Sequence, residues 1–259
     1  MKRFILTGIL AMAAGASALM AQNAAPKGPA PKSKAELEAL QGLFQAQQQG
    51  NPDGVIKAAD DLIAKFADTD FKDTVLYMEA EAYEQKHDNA KAQVYAEQAL
   101  KANPKSYQAN IMLAELVAQG TRENDLDKNE KLTQSAKYAN DAIALSKDAP
   151  KPNPQITDAQ WDEFKKSIVA RAHNAFGMAA LVNKKYDVAA AEFKTAAEND
   201  PQPAFLVREA SALQSEGKND EAIALCDKIA GDPQAHPQVK QVAQQIKAAA
   251  VKAKGTPQQ

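Results

Sequence analysis

Small and apolar side chains recur along the chain with helical spacing, and two stretches share one pattern. The steps between them are 12, 4, 3 and 5 residues in both stretches, at Ala80, Ala92, Ala96, Ala99 and Pro104 and again at Gly177, Ala189, Phe193, Ala196 and Pro201. Steps of three and four residues place side chains on one face of an α-helix, where they meet a second helix. The proline beyond that face ends the helix. The pattern therefore predicts helix pairs repeated along the chain, as in a helical solenoid.

Capping and breaking residues set the predicted helix bounds. Ser33 and Glu36 form a capping box for a first helix that runs to about Gln49, and Asn51 and Pro52 begin the next helix. A third pair starts 34 residues after the second and contains a polar insertion at 121–129. The other predicted helices are 73–86, 89–102, 158–183, 186–199, 204–216, 219–229 and 237–252.

Composition divides the chain into segments. Lys2 and Arg3 precede an apolar run at 4–14 and small residues, which is typical of a secretory signal peptide at 1–21, cleaved after Ala18 or Ala21. An uncleaved anchor is the alternative, although the apolar run is short for a membrane span. The remaining predicted segments are a Pro/Ala-rich linker at 22–32, repeats at 33–147, a proline-rich hinge at 148–157, repeats and a capping helix at 158–253, and a tail at 254–259.

Charge and cysteine content narrow the class of protein. The formal net charge is −2, and no basic stripe stands out, so we expect no nucleic-acid partner. We also expect no membrane span in the mature chain. The only cysteine is Cys226, which excludes an internal disulfide. Cys226 takes the place of Phe193 in its repeat, which favours a buried, inert thiol over a reactive one.

The residue types that usually carry catalysis are not grouped. His87, His173 and His236 have no second ligand at a metal-binding spacing, and no phosphate-binding loop or nucleophile elbow occurs. Trp161 is either a packing anchor near the hinge or an exposed contact, and packing is favoured. We therefore predict no catalytic residues, no cofactor, no metal and no enzymatic activity.

These units resemble the tetratricopeptide repeat, a helix–turn–helix of about 34 residues. The best matches are 73–104 and 170–201, although Leu76 and His173 stand where the family has an early Trp. The resemblance implies an all-α, right-handed solenoid of about five helix pairs with a C-terminal capping helix. It also implies a non-catalytic scaffold that binds a protein or peptide, which the signal peptide would place in the periplasm or outside a bacterial cell.

The first helices of such repeats usually line a concave groove. By position, this groove would be acidic in its first half and basic in its second, which would orient a partner whose two ends carry opposite charges. The other interpretation, which is favoured because exposed charge is the default, is that these are ordinary solvated helix faces. The alternative is a small-molecule binder, or an accessory subunit of an envelope enzyme, with a pocket between the two repeat stacks near 148–165. The predicted groove residues are Tyr77, Glu81, Glu84, Gln108, Ile111, Glu115, Arg171, Asn174, Met178 and Arg208.

Overall fold

The computed structural model describes residues 29–152, 155–233 and 235–255, and within these ranges every regular element is an α-helix. The predicted signal peptide, most of the linker and the end of the tail lie outside the described residues. The helices are α1 (Lys34–Gln48), α2 (Pro52–Lys65), α3 (Lys72–Gln85), α4 (Asn89–Ala102), α5 (Tyr107–Gly120), α6 (Lys128–Lys147), α7 (Asp158–Val182), α8 (Tyr186–Asn199), α9 (Pro203–Glu216), α10 (Asn219–Gly231) and α11 (Pro237–Gly255).

The all-α class and the consecutive helix pairs predicted from the spacing are confirmed. Helices α4 and α8 have the predicted bounds, α3 begins one residue earlier than predicted, and α11 ends three residues later. In the part of the chain that the structure describes, no helix combines the length and the apolar character needed to cross a membrane.

The helices group into two compact units. The described residues of Met1–Ala109 and Ala149–Asp158 form the first unit, and those of Asn110–Asp148 and Ala159–Gln259 form the second. The sequence predicts a division of the repeats at the proline-rich segment 148–157. In the structure, α6 and most of α5 instead group with the helices that follow this segment. Contacts within the second unit explain the difference, since the Ser135 hydroxyl donates to the Ala114 carbonyl at 2.8 Å and Arg171 pairs with Glu115. A hinge at 148–157 stays a prediction.

Side chains cap the first two helices as their sequences predict. The Ser33 hydroxyl accepts a hydrogen bond from the Glu36 amide at 3.1 Å, and the Asn51 side chain accepts one from the Gly54 amide at 3.0 Å. The Glu36 carboxylate reaches back to the Lys32 amide rather than to that of Ser33. Its second oxygen accepts a 2.6 Å hydrogen bond from the Thr69 hydroxyl, so this buried charge is satisfied by two donors.

The spacing pattern marks the closest approach of two paired helices. Gly177 of α7 lies against the ring of Phe193 of α8, and Phe193 is fully buried. A methyl group on Gly177 would lie only 2.6 Å from Cε1 and 2.7 Å from Cδ1 of that ring. The missing side chain at position 177 is therefore what makes room for the aromatic ring of the second helix.

Polar contacts connect side chains that are one repeat apart in sequence. The partners are separated by 33 or 34 residues, so each contact joins equivalent or neighbouring positions of successive repeats. The pairs are Glu36 with Thr69, Gln47 with Glu81, Asp53 with Lys86, Asn174 with Arg208, and Asp220 with Lys254.

We expect Gly177→Ala to lower the free energy of unfolding by up to about 2 kcal/mol. Overpacking against the Phe193 ring costs about 1–3 kcal/mol, which outweighs the roughly 1 kcal/mol that alanine gains in a helix. Gly42 of α1 provides the control, because nothing lies within 4 Å of a methyl group built there. Gly42→Ala should therefore stabilise the protein by about 0.5–1 kcal/mol. Urea denaturation measures both changes, and a stabilising Gly177→Ala would contradict the assignment.

Helix α3 carries a buried carboxyl group in the first unit. Glu79 is 1% exposed, and its Oε1 atom has no hydrogen-bond partner among the described residues. Burial raises the pKa of Glu79 to about 7, and the negative charge of Asp60 adds to this increase. A hydrogen bond with Tyr95 acts in the opposite direction. The carboxyl group of the folded protein therefore holds its proton to a higher pH than the same group in the unfolded chain.

Stability should consequently decrease as the pH rises. The contribution of protonated Glu79 is fully present below its ordinary pKa of 4.5 and is lost as the pH passes through 7. In Glu79→Gln this loss should disappear, and the variant should exceed the natural protein in unfolding free energy by up to about 3 kcal/mol above pH 7. Denaturation between pH 5 and pH 8 measures the difference. Glu97→Gln makes the same substitution at an exposed position of α4 and should not reproduce this gain in unfolding free energy.

Candidate functional site

The predicted groove residues of α3 take part in a hydrogen-bonded group. The Tyr77 hydroxyl donates to Glu81 Oε1 at 3.0 Å, and Gln47 of α1 donates to Glu81 Oε2 at 3.1 Å. Tyr77, Glu81, Glu84 and Gln108 are all half-buried. Gln47 was not among the predicted groove residues. It lies 34 residues before Glu81, which is the length of one repeat, and this separation could have indicated the contact.

Four of the predicted residues meet in the second unit, in a group that we call the arginine cluster: Glu115 of α5, Arg171 and Asn174 of α7, and Arg208 of α9. Arg171 donates from Nε and Nη2 to Glu115 Oε2, at 2.9 and 2.6 Å. The Asn174 amide group donates to Glu115 Oε1 at 3.4 Å, while its oxygen accepts from Arg208 Nη1. One continuous set of polar contacts thus connects α5, α7 and α9. Each of these helices is the first helix of its predicted pair.

The interior of the arginine cluster is only partly accessible to solvent. Asn174 is 2% exposed, and the side chains of Glu115 and Arg171 are 14% and 29% exposed. Burial lowers the pKa of the Arg208 guanidinium, and the charge of Glu115 opposes this effect. Arginine keeps its proton at neutral pH even so. The cluster therefore holds two positive charges and one negative charge, with Asn174 as the neutral bridge between them.

Two other predicted groove residues lie beside this cluster in sequence but differ in accessibility. Ile111 is fully buried, so its side chain contributes to the core and offers a partner no surface. Met178 is half-buried and packs on the hydrophobic cluster that contains Phe193. Within the second unit, Met178 thus supplies an apolar contact one helical turn beyond Asn174.

The predicted groove has an acidic first half and a basic second half, but the charges in the arginine cluster are not separated in this way. Glu115, counted with the acidic half, forms an ion pair with Arg171 of the basic half, and both lie in the second compact unit. The charges compensate each other because α5 and α7 bring these positions into contact across 56 residues of sequence. Spacing along one helix cannot indicate such a pairing.

The remaining candidates for chemistry occupy structural positions. Cys226 is 1% exposed, and burial raises the pKa of its thiol. Trp161 is buried and stacks on Phe164 with ring centroids 5.1 Å apart, which supports the packing interpretation. His173 Nδ1 lies 2.6 Å from a carboxylate oxygen of Glu192. The described residues contain no group of three or more His, Cys, Asp and Glu side chains arranged to hold a metal ion.

Consecutive helix pairs with contacts at one-repeat intervals define a helical-hairpin repeat protein. The family model for the tetratricopeptide repeat matches residues 77–150 and 174–238, together more than half of the chain. The chain therefore belongs to the tetratricopeptide repeat family. Proteins with this fold generally mediate protein–protein interactions, because stacked repeats expose extended binding surfaces.

Solved structures of tetratricopeptide repeat proteins are similar to this chain. TTC0263, a thermophilic tetratricopeptide repeat protein of Thermus thermophilus, is 17% identical and aligns with a TM-score of 0.55 over 83% of this chain and 99% of that chain. A tetratricopeptide repeat protein from Parabacteroides merdae is 14% identical, with a TM-score of 0.43 over 87% and 94% of the two chains. A comparison with curated proteins gave no match. The likeness to TTC0263 concerns the fold alone.

Proposed function

We propose that this protein is a non-catalytic scaffold of the bacterial cell envelope that binds a segment of a partner protein. The arginine cluster, with Met178 beside it, is the proposed contact surface in the second unit. The observation that carries the proposal is the excess of one positive charge in a half-buried cluster on three helices of a tetratricopeptide repeat protein.

The chemistry of the surface favours a peptide segment that carries both charge and apolar area. A guanidinium group recognises a carboxylate through paired hydrogen bonds, and the partial burial of the cluster strengthens that attraction. The half-buried Met178 side chain is unbranched and flexible, so it adapts to apolar side chains of different shape. Together they fit an acidic segment with an adjoining apolar residue.

Photo-methionine, a diazirine analogue of methionine, tests the contact surface directly. Of the six methionines, three lie within the predicted signal peptide, and Met78 and Met112 are only 3% and 2% exposed. Met178 is therefore the one methionine of the described residues that can reach a partner. We expect the labelled chain that begins at Gln22, and therefore lacks Met20, to form a discrete covalent adduct with one protein when it is irradiated with an envelope fraction.

Two matched variants decide the origin of that adduct. Met178→Leu keeps the apolar packing but removes the photoreactive side chain, so the adduct should disappear. Arg208→Gln keeps Met178 and should reduce the yield, because the charge that attracts the segment is gone. An adduct that persists in Met178→Leu, or no adduct in any fraction, would contradict the proposed surface.

The envelope location rests on the N-terminal sequence. Lys2 and Arg3, the apolar run at 4–14 and the small residues that follow have the order of a cleaved signal peptide. We expect the protein isolated from its native cells to begin at Gln22 or Leu19, after cleavage at Ala21 or Ala18, and to fractionate with the periplasm or medium. Terminal sequencing measures this, and a cytoplasmic protein that begins at Met1 would contradict export.

A further inference from the structure

We infer that Glu115 is an internal carboxylate ligand of the arginine cluster and that it limits the affinity of the cluster for an acidic partner segment. The inference concerns regulation of the proposed binding surface and therefore rests on the proposed function. It follows from the way in which Glu115 is held and from the balance of charges around it.

Glu115 is bound as an external carboxylate would be. One of its oxygens accepts two donors from Arg171, at 2.9 and 2.6 Å, and the other accepts the Asn174 amide at 3.4 Å. Its side chain is 14% exposed, so the ion pair is shielded from much of the solvent. Paired guanidinium donors and an amide are the groups that proteins use to recognise carboxylates.

Within the described residues Arg208 has no directly bonded carboxylate, although the charge of Glu115 acts on it from the far side of Asn174. In the described part of the chain Arg208 forms no ion pair, and its Nη1 donates to the neutral Asn174 oxygen. A half-buried guanidinium group without a counterion is costly, because it has lost water without gaining a carboxylate. The cluster thus retains the capacity to bind one additional carboxylate at Arg208.

An incoming carboxylate meets opposing effects at this position. Arg208 attracts it, while the negative charge of Glu115 on the far side of Asn174 repels it. Glu115 also pairs with Arg171, so Arg208 is the guanidinium group that an incoming carboxylate meets. Removal of the Glu115 charge should therefore raise the affinity of Arg208 for a carboxylate.

The test uses fluorescein-labelled hexaglutamate as the probe and fluorescence anisotropy of the mature full-length protein. We expect Glu115→Gln to tighten binding about tenfold, since one like charge is removed from a partly buried site. Arg208→Gln should abolish binding. Glu130→Gln makes the same change in net charge at an exposed position of α6, and it should alter the affinity by less than about twofold because solvent screens that charge.

A further variant separates the role of Glu115 from a folding defect. Glu115→Asp keeps the charge but shortens the side chain by one methylene group, which weakens its hold on Arg171, so the affinity should lie between those of the natural protein and Glu115→Gln. Circular dichroism checks that each variant is folded. If Glu115→Gln matches Glu130→Gln, or if Arg208→Gln still binds the probe, the inference is wrong.

The role assigned to Glu115 and the proposed function can fail independently, and the two experiments tell these failures apart. A Met178-dependent adduct combined with an unchanged affinity of Glu115→Gln for hexaglutamate would leave the binding surface in place and remove only the role assigned to Glu115. Tighter binding by Glu115→Gln without any Met178-dependent adduct would support the carboxylate chemistry while contradicting the proposed contact at Met178.

Discussion

The close approach of the two helices within a pair is the constraint on which this structure depends. Between α7 and α8 it is met by a glycine that faces a phenylalanine, whereas the corresponding positions of α3 and α4 hold two buried alanines, Ala80 and Ala96. In α9 and α10 the corresponding residues are Ala210 and Cys226, which belong to one buried cluster. A large residue on one helix thus coincides with the smallest residue on its partner, as dense core packing requires.

The same repeat spacing creates the candidate site. Because helix pairs of similar size follow one another, residues about 34 positions apart come into contact, as Asn174 and Arg208 do. The contact between Asn174 and Arg208 in the arginine cluster therefore results from the repeat spacing. In the first unit the analogous contact between Gln47 and Glu81 carries no excess positive charge. The repeats share a scaffold, and their side chains determine which of them can attract an acidic segment.

The sequence was sufficient to predict the helices because their signals are local. Capping residues, breakers and the steps between small residues gave the bounds of α4 and α8 correctly. It was insufficient for the pairing of Glu115 with Arg171, which depends on how α5 and α7 are placed in space. The sequence also could not indicate that Glu79 is buried, because glutamate favours helices whether its side chain is exposed or buried. Family membership predicts protein binding. The charge balance of the arginine cluster follows only from the three-dimensional contacts among its residues.

A double-mutant cycle at Gly177 and Phe193 measures directly whether side chains at the two positions compete for one space. If the two positions share one volume, the effect of Gly177→Ala must change sign when the ring is removed. In the Phe193→Ala background we predict that Gly177→Ala raises the free energy of unfolding, because it partly fills the cavity and favours the helix. This double variant reproduces the alanine pair found at positions 80 and 96. An equal destabilisation by Gly177→Ala in both backgrounds would show that positions 177 and 193 do not share one volume.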